Sequence, residues 1–112
     1  MAADFSLKAH DRLPSIQADL AMAGLPAPLA QATGVRFVMR LVDGLGLPKV
    51  NAPAVIVDAA AGTVRYDWKA VDTDTPGVYR GEWAVLYTGN LPQTYPTLTY
   101  HSIEIGEDLD GV

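Results

Sequence analysis

The chain has 112 residues, and its 8 Lys and Arg against 13 Asp and Glu give a net charge of −5, which disfavours nucleic-acid binding through phosphate contacts. It has no cysteine, so disulfides, thiolate metal sites and cysteine nucleophiles are excluded. No apolar run approaches the roughly 20 residues that span a bilayer, and the N-terminus lacks a signal-peptide layout. We expect one domain, residues 1–112, made in the cytoplasm, with no membrane or nucleic-acid partner.

Short strands are the elements that the sequence favours. Ten Gly and eight Pro separate segments in which apolar and polar residues alternate with period two. In chain order, the predicted strands cover residues 4–8, 15–22, 35–42, 53–58, 63–70, 78–87 and 98–105. Residues 23–34 and 43–52 are predicted loops, and Leu29 is expected to plug one end of the core. The pattern predicts an all-β antiparallel sandwich of about seven strands, followed by an acidic tail at 106–112.

The segment 63–87 is expected to build the core, because two of its strands carry inward-facing aromatic residues. The residues predicted to face inward are Val64, Tyr66, Trp68, Tyr79, Gly81, Trp83, Val85 and Tyr87. Each large aromatic side chain buries about 150–250 Å². Both tryptophans are therefore predicted to stabilise the fold rather than to form a binding platform.

The strand order leads to a prediction about charges. The third, sixth and last strands are expected in one sheet, and the second, fourth and fifth in the other. The expected cross-strand contacts are Arg36 and Arg40 with Glu82, and Asp19 with Arg65 or Lys69. Such exposed pairs each contribute a few tenths of a kcal/mol, roughly 0.2–1. Like-charged neighbours at these positions would argue against the order.

The corner DTDTPGVY, residues 72–79, resembles the D-x-G-x-Y pattern of immunoglobulin-like sandwiches, in which the tyrosine hydroxyl bonds back to the upstream backbone. Two details differ from that pattern. Asp74 lies three residues before Gly77 instead of two, and Gly81 stands where antibody domains have their second cysteine. The corner therefore predicts an Ig-like architecture outside the immunoglobulin superfamily itself.

A more specific resemblance comes from FSLKAHDRLPSIQADL, ATGVRFVMR and VIVDAAAGTVRYDWKAVDTDTPGVYRGEWAVLY. These segments resemble the Ig-like domain at the N-terminus of bacteriophage baseplate upper proteins and related small virion proteins. The likeness runs from Phe5 to Ile105 and is strongest over 58–83. This chain departs from the family at residues 10–12, His-Asp-Arg for the common Gly-Asp-Thr, and at residues 28–31, Pro-Leu-Ala-Gln for the usual Asp-Leu-Thr-Gly.

The resemblance implies a Greek-key Ig-like sandwich that serves as a non-enzymatic structural component of a phage tail, baseplate or capsid. It further implies several copies per virion, made in the host bacterial cytoplasm, that contact other virion proteins and copies of themselves. A receptor- or carbohydrate-binding module on a phage or bacterial surface is the alternative, with Tyr95 as the best-placed stacking residue. An accessory or inhibitor domain of a bacterial enzyme also stays open.

Sites for catalysis and cofactors have little support in the sequence. There is no G-x-S-x-G, and the two histidines, His10 and His101, lack metal-ligand spacing. Calcium could be held by Asp67, Asp72 and Asp74, but the calcium-loop glycine and distal glutamate are missing, and turn hydrogen bonds explain Asp72 and Asp74 more simply. We therefore predict no enzyme activity, no catalytic residue, no metal and no cofactor.

Apolar residues at outward positions of the third, sixth and last strands, and in two loops, are the remaining signal. A monomer rarely exposes so much contiguous apolar surface. The predicted partner interface comprises Val38, Leu45, Leu47, Ala84, Leu86, Leu91, Tyr95, Leu98 and Tyr100. In the alternative interpretation, a β-bulge reverses the parity of a strand and returns its residues to the core.

Overall fold

The computed structural model describes residues 5–42, 47–96 and 101–109. These residues form an all-β structure with short 3₁₀ turns at Leu29–Gln31 and Ala70–Thr73. Within them lie eleven strands: β1 (Phe5–Lys8), β2 (Ile16–Asp19), β3 (Ala21–Met22), β4 (Leu25–Pro26), β5 (Ala32–Leu41), β6 (Val50–Pro53), β7 (Val55–Asp58), β8 (Thr63–Tyr66), β9 (Gly77–Tyr87), β10 (Leu91–Tyr95) and β11 (His101–Gly106). None of the helical turns in these ranges is long and apolar enough to cross a membrane.

The strands form a large sheet, a small sheet and a separate hairpin. The large sheet has the order β1-β11-β9-β5-β6, and β10 pairs with the same strand β9. The small sheet has the order β2-β8-β7, and β3 pairs with β4. Strands β1 and β11 are parallel, whereas β9 is antiparallel to its three partners. The predicted grouping of the main strands into two sheets is therefore confirmed except at Pro53, which belongs to β6 of the large sheet. The prediction of an antiparallel arrangement is wrong for the β1–β11 pair.

Two predicted elements have different bounds in the structure. The predicted strand 53–58 is divided at Ala54 between β6 in the large sheet and β7 in the small sheet, and β6 begins inside the predicted loop 43–52. The Ala54 amide donates to the carbonyl of Val35 at 2.8 Å. The predicted strand 15–22 is interrupted at Leu20, between β2 and β3, where the Leu20 amide donates to the carbonyl of Gly62 at 2.8 Å. Ala23 and Gly24 adopt positive φ values of 53° and 80° in the turn between β3 and β4. The described residues contain eleven strands instead of about seven, because these two predicted strands are divided and because β4 and β10 lie in predicted loops.

Both main sheets contribute side chains to one hydrophobic core. Phe37 on β5 stacks on Tyr66 of β8 with ring centroids 5.1 Å apart, and its ring also contacts Trp83 at 4.7 Å and Trp68 at 5.8 Å. The prediction that both tryptophans and Tyr79 face inward is confirmed, since all three are buried. Leu29 is also buried, as predicted for a plug.

A buried carboxylate fixes the turn that leads out of β8. Asp72 accepts hydrogen bonds from the Tyr66 hydroxyl at 2.5 Å and from the Lys69 amide at 2.8 Å. Burial raises the pKa of Tyr66, and the bond to Asp72 raises it further because ionisation would place two negative charges together. The predicted role of Asp72 as a turn acceptor is confirmed.

Gly81 lies on β9 where the core has no room for a side chain. A methyl group on its Cα would lie 2.7 Å from Cδ1 of Ile103 and 3.0 Å from Cζ of Phe37. The same addition at Gly34 on β5 would meet nothing within 4 Å. Glycine at position 81 is therefore required by packing.

We expect Gly81→Ala to lower the free energy of unfolding by about 1–3 kcal/mol, because overpacking displaces two core side chains. The matched control is Gly34→Ala, which we expect to be neutral or stabilising because alanine restricts the unfolded chain. Urea denaturation of both variants measures the difference. Equal stability of the two variants would contradict the packing at Gly81.

We also expect Tyr66, Tyr79 and Tyr95 to resist ionisation, since burial raises the pKa of each. Their contribution to stability is present below the ordinary tyrosine pKa of about 10 and decreases as the pH rises above it, because the unfolded chain ionises first. At about pH 11, tyrosinate absorbance should therefore be lower in native than in urea-unfolded protein. Coincident titration curves would contradict this expectation.

Candidate functional site

The outer face of the large sheet is the candidate site, and the predicted alternation of side chains is confirmed there. Along β9, the buried residues Tyr79, Gly81, Trp83 and Val85 alternate with Val78, Arg80, Glu82, Ala84 and Leu86 on the outer face. The neighbouring strand β5 is in register with it: Arg36 lies opposite Ala84, Val38 opposite Glu82, and Arg40 opposite Arg80. No bulge reverses parity over these pairs, because the register shifts only between Ala32 and Gly34.

Apolar residues lie at both ends of this face. At one end, Leu86 is 41% exposed and lies opposite Pro92 of β10, beside the half-buried Ala84. The predicted interface residue Leu91, which precedes Pro92 in β10, is 63% exposed but lies opposite Tyr87 and so has the parity of the inner face. At the other end, Val42 and Val78 are exposed, and the Val42 amide donates to the carbonyl of Val78.

Charged residues occupy the middle of the face. We name Arg36, Arg40 and Arg80, with Glu82 between them, the arginine band. Arg36 donates from Nε to Oδ1 of Asn51 at 2.9 Å and from Nη2 to the Asn51 carbonyl at 2.7 Å. Arg40, Arg80, Glu82 and Val38 line a depression of about 200 Å³. The predicted contiguous apolar surface is therefore divided by a polar one, which the sequence prediction missed although parity placed Arg36 and Arg40 on this face.

Arg36 and Arg40 lie diagonally beside Glu82 on the outer face, as predicted, because Glu82 is opposite Val38. Arg40 also lies directly opposite the like-charged Arg80, a pairing expected to argue against the strand order, although the strand order is the predicted one. Such a pair is tolerated at a surface because long side chains diverge and water screens their repulsion. On the small sheet, Asp19 accepts a hydrogen bond from Thr63 at 2.7 Å, whereas Arg65 pairs with Asp67 at 2.9 Å.

The other predicted interface residues have different surroundings. Leu47 is 91% exposed, whereas Leu45, Leu98 and Tyr100 lie outside the described residues. The placement of Tyr95 at the interface is wrong, because this residue is fully buried. It lies opposite Trp83 in β10, and its hydroxyl is 2.8 Å from that of Tyr87. The sequence prediction assigned a strand to a loop at this point.

A groove of about 620 Å³ lies at one end of the small sheet, lined by His10, Asp11, Arg12, Leu13, Ser15, Asp67 and Trp68. The Ser15 hydroxyl donates to Oδ1 of Asp67 at 2.6 Å. This bond, followed by one from Arg65, holds the pKa of Asp67 below its ordinary value. The Ser15 hydroxyl therefore donates its hydrogen bond to a carboxylate. In a catalytic triad the serine hydroxyl donates to a histidine instead, so this pair is not arranged for nucleophilic catalysis.

The three aspartates considered for calcium have separate partners. Asp67 bonds Ser15 and Arg65, and Asp72 is occupied by the buried contacts described above. Asp74 pairs with Lys49 and accepts from Thr75, and these bonds lower its pKa. Over residues 5–42, 47–96 and 101–109, the structure has no group of three His, Cys, Asp or Glu side chains placed to hold a metal.

Aromatic surfaces for sugar stacking were the basis of the carbohydrate alternative. Trp68 is 5% exposed and Trp83 is 0% exposed, and the indole nitrogen of Trp83 donates to Nε2 of His101 at 2.9 Å. Each aromatic side chain that the structure describes is buried or half-buried. The described surface therefore offers no exposed aromatic platform.

Comparison with known proteins gave no relative from which a function could be transferred. No protein-family model matches the chain, and searches of curated proteins and of solved structures found no match either.

Proposed function

We propose that the fold is an Ig-like Greek-key β-sandwich. The order β2-β8-β7 corresponds to strands B, E and D of such a domain, and β11-β9-β5-β6 corresponds to G, F, C and C′. The contacts of Phe37 across the two sheets support their face-to-face packing.

The tyrosine corner gives independent support for this fold. The Tyr79 hydroxyl donates to the carbonyl of Thr75, four residues upstream, at 2.7 Å. Tyr79 lies near the start of β9, the position that the corner tyrosine has in strand F of Ig-like domains.

We further propose that the protein is a non-enzymatic structural subunit of a bacteriophage virion, in its tail, baseplate or capsid, and acts through protein–protein contacts. The observation that carries this proposal is the outer face, where exposed apolar residues flank the arginine band. Interfaces combine apolar contact area with arginine in this way and are depleted in lysine and acidic residues. The resemblance of residues 5–105 to phage baseplate and virion proteins supplies the biological setting.

The test is whether the chain is a component of the particle. Phage particles purified by density banding from the strain that encodes the chain should contain it in several copies, as counted by quantitative mass spectrometry. Labelled antibody should mark one substructure of the particle in electron micrographs. Absence of the chain from banded particles would contradict the proposal, and a monomer that binds defined oligosaccharides on an array would favour the carbohydrate alternative.

Substitution of the outer face tests the surface itself. We expect Ala84→Glu combined with Leu86→Lys to reduce incorporation into particles by about ten-fold, since charges replace buried apolar contacts. The thermal midpoint of the isolated protein should change little, because both positions face outward. The matched control is Val55→Lys on β7, an exposed valine of the small sheet, which should leave incorporation unchanged. Equal incorporation of the outer-face variant and the wild type would count against this surface.

A further inference from the structure

We propose that the arginine band binds the acidic tail, residues 106–112, of a second copy of this chain. This inference rests on the proposed function, because it names an occupant for part of the same outer face. It assigns the contact between copies to complementary charges, with the cations supplied by β5 and β9 and the anions by the segment after β11.

The distribution of charge supports this contact. The outer face of the large sheet carries Lys8, Arg36, Arg40 and Arg80 against Glu82 and Glu104, as the strand registers and burial patterns indicate. The whole chain nevertheless has a net charge of −5. One face is therefore positive on a protein that is otherwise strongly acidic, and such a surface attracts and orients an acidic partner.

The arginine pair at the centre of the band provides a place for a carboxylate. Arg40 and Arg80 lie opposite each other and line the same depression. A carboxylate in this depression would meet two guanidinium groups, which bind carboxylates through paired hydrogen bonds. Val38 lines the same depression and adds an apolar contact.

The acidic tail has the matching composition. Its sequence is GEDLDGV, with three carboxylates, no cation and Leu109 between two aspartates. Glu107 and Leu109 are exposed, and Leu109 is 101% exposed. Leu109 between its two aspartates therefore matches Val38, which lies beside Arg40 and Arg80 in the depression.

The two surfaces lie at different places on the chain, so each copy can both donate a tail and receive one. Gly106, where the tail begins, pairs with Lys8 at the β1 edge of the large sheet, whereas Arg40 lies two strands away on β5. Contacts between two different surfaces generate rings or extended arrays unless two copies exchange tails reciprocally. Either arrangement gives several copies held by one type of contact.

Sedimentation equilibrium over a range of protein concentrations tests the proposal. At about 20 mM salt the average mass should rise with concentration, and at about 0.5 M salt it should return toward that of the monomer, because screening shortens the range of the attraction. Excess GEDLDGV peptide should dissociate the assembly, whereas the neutral peptide GQNLNGV should not.

Charge reversal provides the specific test. We expect Arg40→Glu with Arg80→Glu to weaken association by about ten-fold or more, and Glu107→Lys with Asp108→Lys to do the same. An equimolar mixture of the two variants should associate again, because each reversed surface then meets a complementary one. The control is Arg12→Glu with Lys69→Glu, which makes the same change in net charge at exposed positions away from the outer face. We expect it to associate more strongly than the variant with both band arginines reversed.

Several outcomes would overturn the inference: a wild-type monomer at all concentrations, association that the reversals leave unchanged, or a mixture that stays monomeric. A salt-sensitive stability without any change in mass would indicate that the tail binds its own chain, which also contradicts the proposal. If the arginine variant does not fold by circular dichroism, the tail variant and the peptide competition carry the test. The chain's presence in particles, measured separately, decides the proposed function, so the two can fail independently.

Discussion

The contacts of Phe37 are the interaction on which the rest of the structure depends. This ring from β5 contacts Tyr66 of β8 and Trp68, which follows β8 in the chain. It also contacts Trp83 on β9 of the large sheet, so its contacts connect the two sheets. Aromatic pairs contribute about 0.5–1.5 kcal/mol beyond the area that they bury. Position 81 is a glycine because Phe37 and Ile103 occupy the space that a side chain would need. Since Gly81 faces inward on β9, its neighbours Arg80 and Glu82 face outward.

The core could be predicted from the sequence because alternation with period two is local information. Trp68, Tyr79 and Trp83 were assigned correctly from the parity of their own strands, and so were Val38, Ala84 and Leu86 on the opposite side. Parity does not determine register, however. The sequence placed Arg40 near Glu82 but could not indicate that it lies opposite Arg80, since that pairing depends on how two distant strands align.

Turns and strand ends were the less predictable part for a related reason. Tyr95 was assigned to a surface loop, yet it ends β10, where it lies opposite Trp83 and its side chain is buried. The division of 53–58 between two sheets likewise depends on Ala54 reaching the backbone of Val35, a contact between residues far apart in sequence. Tertiary hydrogen bonding decides both cases, and composition alone does not encode it.

The parallel pairing of β1 with β11 has a mechanical consequence. Phe5 lies beside Ile103 and Lys8 beside Gly106, so the chain enters this pair at one end and leaves it at the other. The hydrogen bonds of a parallel pair are evenly spaced along the strands. Tension applied through the flanking chain would therefore load these bonds in shear, all at once, whereas a hairpin pulled from its open end separates one bond at a time. The first and last strands of the described chain, β1 and β11, would therefore resist extension together.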